Sequence, residues 1–204
     1  MSQARITFRF LSYWHAGTGR GEGARLDAVV ARDADGLPLL PGRSVKGLMR
    51  EGVQLLEDGG HVPNGTTARF FGAAADEHSR RFDSSPGELR FSDAVLNDAS
   101  LKRLSAEDRR GLFDEVASTR IAENGLADDE TLRRIEVTVP LTLQAVAESE
   151  TTDNWIKVLQ LAAPLVRAAG SGRHRGFGRV AVSVAVSGAV SVAPVASNVQ
   201  RGGK

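Results

Sequence analysis

Cysteine is absent from the 204-residue sequence, which excludes disulfide bonds and thiolate metal ligands. Aromatic residues make up only 5%, so a surface that stacks many nucleobases on aromatic rings is not expected. No apolar run is long enough to cross a bilayer, and Arg5 and Arg9 interrupt the apolar N-terminal stretch, which argues against a signal peptide. We therefore expect a cytoplasmic protein with no membrane partner.

Net charge is also almost absent, since 26 Lys and Arg residues face 25 Asp and Glu residues. The charges are unevenly distributed, however. Residues 166–180 contain four arginines and a histidine without an acid, and residues 42–50 contain two arginines and a lysine without an acid. Such local concentrations of cations predict a confined contact with a polyanion rather than a wholly basic surface.

Hydrophobic periodicity predicts six core elements. Alternation of period two predicts four strands, over residues 5–12, 88–96, 137–146 and 179–186. Helical spacing predicts one helix from Ser44 to Gly59 and another over residues 154–168, which Pro164 should kink or shorten. The order strand, helix, strand, strand, helix, strand is that of an α+β, ferredoxin-like βαββαβ fold. We predict one domain over residues 1–188 and a C-terminal extension over residues 189–204.

Long insertions decorate this core. Residues 16–24 form a glycine-rich loop, residues 61–87 are polar and irregular, residues 101–116 are weakly patterned as a helix, and residues 118–135 are predicted to form a long projecting loop. Because long loops without secondary structure are uncommon in compact domains unless they are functional, we expect these to carry function.

The first candidate site is residues 41–50, which read Pro-Gly-Arg-Ser-Val-Lys-Gly-Leu-Met-Arg. A proline–glycine turn delivers a helix N-terminus, where free amides favour phosphate. Ser44 is expected to cap the helix or contact the phosphate, and Lys46 and Arg50 are expected on one helix face. Taken alone, the pattern also fits an ordinary solvated helix.

The second candidate site is residues 170–178, Gly-Ser-Gly-Arg-His-Arg-Gly-Phe-Gly. Its glycines let the backbone approach a ligand closely, and its three basic side chains suit phosphates. It precedes a strand and lacks a Gly-Lys-Ser/Thr ending, so it is neither a dinucleotide-binding loop nor a P-loop. We expect it to converge with residues 41–50 on one groove. A third, weaker pattern is His15 with Asp27, an acid and base pair or metal ligands.

Together these segments resemble the RAMP superfamily, and above all the repeating backbone subunit of type III CRISPR effector complexes of the Csm or Cmr type. The resemblance covers residues 6–182. It rests on His15, the glycine-rich loop, residues 26–33, residues 36–38, residues 41–47, Phe71-Gly72, residues 90–94, residues 119–121 and residues 170–178. Residues 137–142 depart from the glycine and phenylalanine-bearing strand that often follow the thumb in this family.

The resemblance implies a specific function. Subunits of this family stack as a filament of copies along a guide RNA, beside other CRISPR effector subunits, and a thumb (here residues 118–136) displaces a base pair between guide and target RNA. Asp27 matches the catalytic residue that cleaves target RNA with a divalent metal, Mg²⁺ or Mn²⁺, which Asp27 could itself hold. Guide contacts are expected from His15, Arg43, Ser44, Lys46, Arg50, Arg120, Arg173, His174 and Arg175.

Three alternatives stay open at this point. The chain could be a guide-binding structural subunit of the same complex without nuclease activity. It could be a repeat-processing endoribonuclease that uses His15 without metal, or a generic module for single-stranded RNA. Asp27 favours the cleaving subunit, because RAMP relatives that do not cut generally lack an acid at that position.

Overall fold

The computed structural model describes residues 1–21, 26–73, 85–97, 103–119, 132–151 and 154–186. In chain order its elements are β1 Ser2–Phe10, α1 Gly42–Asp58, α2 Thr66–Phe71, β2 Gly72–Ala73, β3 Ser85–Pro86, β4 Arg90–Phe91, α3 Ala106–Arg110, β5 Phe113–Ser118, β6 Arg133–Thr138, β7 Thr142–Ser149, α4 Trp155–Ala162 and β8 Val180–Val186. Every helix within those ranges is too short or too polar to traverse a bilayer.

The main sheet is antiparallel and has the strand order β4-β7-β1-β8. The long strand β1 lies in its middle, where Ile6 pairs with Ala145 on one side and with Val184 on the other. Helix α1 follows β1 and helix α4 follows β7, so the two helices connect the strands as in two split βαβ units. The predicted ferredoxin-like α+β fold is therefore confirmed.

The core lies between this sheet and the two long helices. Strand β1 alternates, and its inward residues Ile6 and Phe8 are fully buried. Truncating such a phenylalanine to alanine typically costs roughly 3–5 kcal/mol. Gly52 lets α1 approach α4, because a Cβ there would lie 2.9 Å from the carbonyl oxygen of Ala162. This close packing fixes the position of α1, whose first turns carry the candidate site.

A second small sheet stands beside the core. Strands β5 and β6 form an antiparallel hairpin with Phe113 opposite Thr138 and Ser118 opposite Arg133. Residues 26–32 continue it, since Ala28 bridges Ile135 in a parallel arrangement. Hydrogen bonds then join residues 26–32 to residues 16–20, which lie on their other side.

Several boundaries predicted from sequence are wrong. Residues 111–116 are not helical, because α3 ends at Gly111 and the chain enters β5. The projecting loop is shorter than residues 118–135, because Arg133 already pairs with Ser118. The single strand predicted over residues 137–146 is two strands, β6 and β7, separated at Pro140. As predicted, Pro164 shortens α4, which ends in a 3₁₀ turn.

Residues 61–87 were predicted as irregular, yet they contain α2, which buries Phe70 and Phe71. The carboxylate of Glu57 accepts the amides of Gly65 and Thr67 at 2.7 and 2.8 Å and so caps this helix. These bonds, first that from Thr67, lower the pKa of Glu57 below its usual value. The C-terminal extension, residues 189–204, lies outside the described residues, as do residues 120–131 of the predicted thumb.

Candidate nucleic-acid interface

Helix α1 begins at Gly42, directly after Pro41, and no side chain of its own sequence caps it. The expected cap at Ser44 is wrong, because Ser44 lies inside the first turn and its amide donates to the carbonyl of Pro41 at 2.7 Å. The amide of Gly42 donates to a carboxylate oxygen of Asp93 at 2.6 Å. One of the helix amides expected to be free for phosphate therefore has a protein partner.

One groove, which we call the histidine groove, lies beside α1 and encloses about 440 Å³. Its lining combines His15 and Gly17 with Ser44 and Glu51 of α1 and with Arg173 of the glycine-rich turn. The structure thus brings together side chains from the two motifs and the N-terminal loop. Three of the predicted RNA-binding residues line this one groove.

Two glycines allow this convergence. Gly170 has φ of 92° and sits directly on residue 15, since a Cβ there would lie 2.5 Å from the carbonyl oxygen of His15. That carbonyl also accepts the amide of Ser171 at 2.8 Å. On the other side of His15, a Cβ on Gly17 would lie 2.7 Å from the ring atom Nε2. Larger residues at either position would push His15 out of place.

The ring of His15 is buried but retains one atom for other contacts. Its Nδ1 lies 2.6 Å from the carbonyl oxygen of Glu136. A carbonyl only accepts hydrogen bonds, so Nδ1 carries a proton and Nε2 is the atom left for a ligand in the groove. The neutral ring would accept a hydrogen bond at Nε2, and the charged ring would donate one.

Arg173 reaches the histidine groove while paired with an acid. Its Nη1 lies 2.8 Å from Oε2 of Glu51 on α1, and both side chains are partly exposed. The neighbouring His174 and Arg175 belong to the same exposed 3₁₀ turn, which left-handed Gly172 and Gly176 flank. His174 lines a separate cleft together with Arg173, whereas the side chain of Arg175 is exposed beside it.

A second groove, which we call the lysine groove, lies along the neighbouring face of α1 and encloses about 520 Å³. Arg43, Lys46 and Arg50 form one wall. Within the described residues, no acidic side chain pairs with any of these three cations. Its floor includes Phe71 and Phe91, whose rings stack with centroids 5.7 Å apart.

The two basic segments meet in the histidine groove through Ser44 and Arg173, but the cations of residues 41–50 line the other groove, so the expected single groove for all the cations is not found. They line two grooves that flank the first turns of the same helix, since Ser44 faces one groove and Lys46 the other. Helical geometry explains this separation, because positions two apart on an α-helix point in directions about 200° apart. A chain of phosphates that crosses the first turns of α1 would meet both.

Asp27 lines neither groove and lies on the segment that pairs with β6. Its amide donates to the carbonyl of Arg134 at 2.8 Å, and its Oδ2 accepts the amide of Arg134 at 2.8 Å. Its side chain is exposed. Asp27 thus lies beside the end of the hairpin where Ser118 pairs with Arg133, the end at which the chain leaves β5 and enters β6.

The donor set around Asp27 fits a magnesium-like ion only with help from RNA. Among the residues that the structure describes, no group of three or more His, Cys, Asp or Glu side chains is placed to hold a metal. Mg²⁺ is commonly held by one or two carboxylates together with phosphate oxygens and water. A single exposed carboxylate next to an RNA phosphate would meet that requirement.

Sequence reasoning missed Asp93, Glu136 and Arg32. Glu136 is the least obvious of them, because it is a buried acid in a strand. No local signal marked it, because an acid between the apolar residues Ile135 and Val137 fits the ordinary alternation of a strand with one exposed face. Arg120, the remaining predicted guide contact, lies outside the described residues.

A family model described as the RAMP superfamily matches residues 7–181. Among solved structures, the chain is similar to one from the cryo-EM structure of the type III-B Cmr-beta bound to cognate target RNA, with a TM-score of 0.65 and 12% identity over 90% of this chain and 97% of that one. The chain is also similar to one from the type III-B Cmr-beta structure in the apo state, with a TM-score of 0.64 and 13% identity over 92% of this chain and 98% of that one. No curated protein matches significantly. These identities show likeness of fold.

Proposed function

The chain belongs to the RAMP superfamily, and from this we propose that it is a backbone subunit of a type III CRISPR ribonucleoprotein that binds guide RNA and cleaves the complementary target RNA. The observation that carries the binding part is the row of Arg43, Lys46 and Arg50 along an open groove, where no acid of the described residues pairs with them. The chains of similar fold come from type III-B Cmr-beta, in one case with cognate target RNA bound.

The guide would cross the first turns of α1 from one groove to the other. Lys46 and its two arginine neighbours would neutralise phosphates in the lysine groove, and Arg173, Ser44 and Nε2 of His15 would contact the next part of the backbone in the histidine groove. All of these contacts would be made to the RNA backbone rather than to base edges. Sequence choice would therefore come from base pairing between guide and target, while the protein recognises backbone and shape.

Cleavage would take place at Asp27. A target nucleotide displaced near the hairpin kinks the strand, which brings a 2′-hydroxyl into line with the next phosphate. Oδ2 of Asp27 accepts the amide of Arg134, which leaves Oδ1 for the chemistry. Oδ1 would either take the 2′-hydroxyl proton, as the 2′-oxygen bonds to phosphorus and the 5′-oxygen leaves with a proton from water, or hold a divalent cation. A divalent cation held by Asp27 and RNA phosphate oxygens would supply neutralisation of the charge that develops.

The test replaces Asp27 with asparagine in the guide-loaded complex. We expect target cleavage to fall at least about a hundredfold, in the range of general acid–base catalysis, while guide binding stays unchanged. Asp58→Asn is the matched control, because Asp58 lies exposed at the other end of α1, where its carboxylate accepts the side-chain amide of Gln54. Undiminished cutting by Asp27→Asn would remove Asp27 from the mechanism.

A guide-binding subunit without nuclease activity is the second candidate. It is favoured because Asp27 lines neither groove and because no cluster of three or more metal-ligating side chains occurs among the described residues. Wild-type complex that binds target RNA in the presence of Mg²⁺ or Mn²⁺ but never cuts it would establish this candidate. Chelator-insensitive cutting of precursor guide RNA by the chain alone would instead indicate a repeat-processing enzyme that uses His15.

A further inference from the structure

Glu136, in the second half of β6, is a buried carboxylate whose two oxygens have different partners. Only 7% of the residue is exposed. Oε2 accepts the amide of Val30 at 3.0 Å, and Oε1 lies 2.6 Å from the guanidinium of Arg32. A buried charge is costly unless it is both paired and hydrogen-bonded, and this one meets both conditions. The surroundings of Glu136 therefore stabilise a charged carboxylate.

The partner cation is itself fixed by the hairpin. The guanidinium of Arg32 lies over the ring of Phe113 on β5, 3.9 Å from its centroid. A cation in that position is attracted by the ring face, and the planar guanidinium suits stacking better than an ammonium group would. Arg32 therefore connects the segment that carries Asp27 to both strands of the hairpin.

The backbone of Glu136 also contacts a residue that lines the histidine groove. Its carbonyl oxygen accepts the Nδ1 proton of His15 at 2.6 Å, which fixes the ring with Nε2 free for the groove. Glu136 thus holds a groove residue by its main chain and the neighbouring segment by its side chain. It is therefore the point at which the groove and the segment that carries Asp27 are joined.

The segment from Asp27 to Val30 is attached to β6 at both ends. At its start, Asp27 and Arg134 exchange two hydrogen bonds, and in its middle the amide of Glu136 donates to the carbonyl of Ala28 at 3.0 Å. At its end, the carboxylate of Glu136 holds Val30 by accepting its amide. Without that carboxylate the segment would lose its attachment to β6 at Val30 and keep only its bonds at Asp27 and Ala28 and those to residues 16–20. A shift of Val30 would then be passed along three residues of backbone to Asp27.

We propose that Glu136 and Arg32 are a positioning pair that sets Asp27 relative to the guide-binding histidine groove. This rests on the proposed function, since it deepens the role of Asp27 in cleavage. Guide binding would still require only the groove residues, whereas cleavage would require the Asp27 carboxylate at a fixed distance from the guide–target duplex. Misplacing a catalytic group by about 1 Å can cost roughly a hundredfold in rate.

Glu136→Gln is the most informative substitution. Glutamine has the shape of glutamate but only one accepting oxygen, so its amide group would face one of two donors, the Val30 amide or the Arg32 guanidinium. Arg32→Lys is the second variant, because it keeps the charge but removes the planar stacking on Phe113. Glu107→Gln is the control, since Glu107 lies exposed on α3.

Each variant is measured in the guide-loaded complex, purified with its other subunits, for single-turnover target cleavage and for guide and target affinity. We expect Glu136→Gln to slow cleavage about 10- to 100-fold, with affinities within about twofold of wild type and unchanged control rates. The double variant Glu136→Gln with Arg32→Lys should slow cleavage by a smaller factor than the product of the two single factors. The reason is that both substitutions disrupt the same contact between Glu136 and Arg32.

Hydrogen exchange on the chain alone gives a readout that does not depend on cleavage. Glu136→Gln should speed exchange of the Val30 amide while amides of β1 keep their rates. Normal cleavage by Glu136→Gln, in a complex that Asp27→Asn inactivates, would overturn the positioning pair and leave the proposed cleavage standing. If the Asp27→Asn complex still cleaves target RNA, the proposed cleavage at Asp27 fails. An unchanged exchange rate of the Val30 amide in Glu136→Gln would overturn the positioning pair, whatever the result for Asp27.

Discussion

Among the described side chains of the histidine groove, Glu51 is an acid that would oppose the proposed binding of RNA. It stands in the histidine groove, where its carboxylate meets the guanidinium of Arg173 at 2.8 Å. A phosphate entering this groove must either share Arg173 with Glu51 or displace it. Under the proposed function, Glu51 would hold Arg173 in place before RNA binds and would lower the affinity of the groove for RNA.

Replacing Glu51 with glutamine should therefore strengthen guide binding. Exposed ion pairs contribute up to about 1 kcal/mol, so we expect an increase in affinity of roughly two- to fivefold at low salt that shrinks as salt is added. Fluorescence anisotropy with labelled guide RNA measures this, with Glu107→Gln as the control. Weaker binding by Glu51→Gln would mean that Glu51 is needed to aim Arg173.

Among the local elements, the turn over residues 170–178 shows why glycine recurs in the motif. Gly170 and Gly176 have nearly equal φ values, 92° and 89°, but different surroundings. A Cβ at Gly170 would collide with the carbonyl of His15, whereas nothing lies within 4 Å of one at Gly176. One glycine is thus required by conformation and contact together, and the other by conformation alone.

Alanine at each position separates the two requirements. Gly176→Ala should lower the free energy of unfolding by about 1–2 kcal/mol, the cost of a left-handed residue. Gly170→Ala should lower it clearly more and should also weaken guide binding, because it displaces His15 from the groove. Denaturant unfolding and anisotropy of both variants check this. Equal destabilisation by the two variants would show that the contact with His15 has no effect.

Local signals explain which elements were predictable from sequence. Alternation in β1, β7 and β8 and the helical spacing of α1 are properties of neighbouring residues, so the ferredoxin-like order followed directly. The β5–β6 hairpin could not be predicted in this way, because its strands pair with each other across an insertion in the sequence. In the site, the family resemblance pointed to His15, whereas the partner that shows the role of Glu136 is Val30, 106 residues away along the chain.

At the scale of the whole molecule, the proposed function assigns binding and cutting to different parts of the fold. The ferredoxin-like core carries both grooves on the first turns of α1, and the hairpin with residues 26–32 carries Asp27. Glu136 joins the two parts through His15 on one side and Val30 on the other. A chain of net charge +1 can therefore hold a polyanion locally without a basic surface elsewhere.

The salt dependence of guide binding tests the central claim, that the unpaired cations of α1 grip the RNA backbone. Removing one cation that neutralises a phosphate should reduce the slope of log affinity against log salt by about 1. We predict that Lys46→Gln with Arg50→Gln lowers the slope by about 2 and weakens the binding of unrelated guide sequences equally. An unchanged slope, or weaker binding confined to particular guide sequences, would contradict the account.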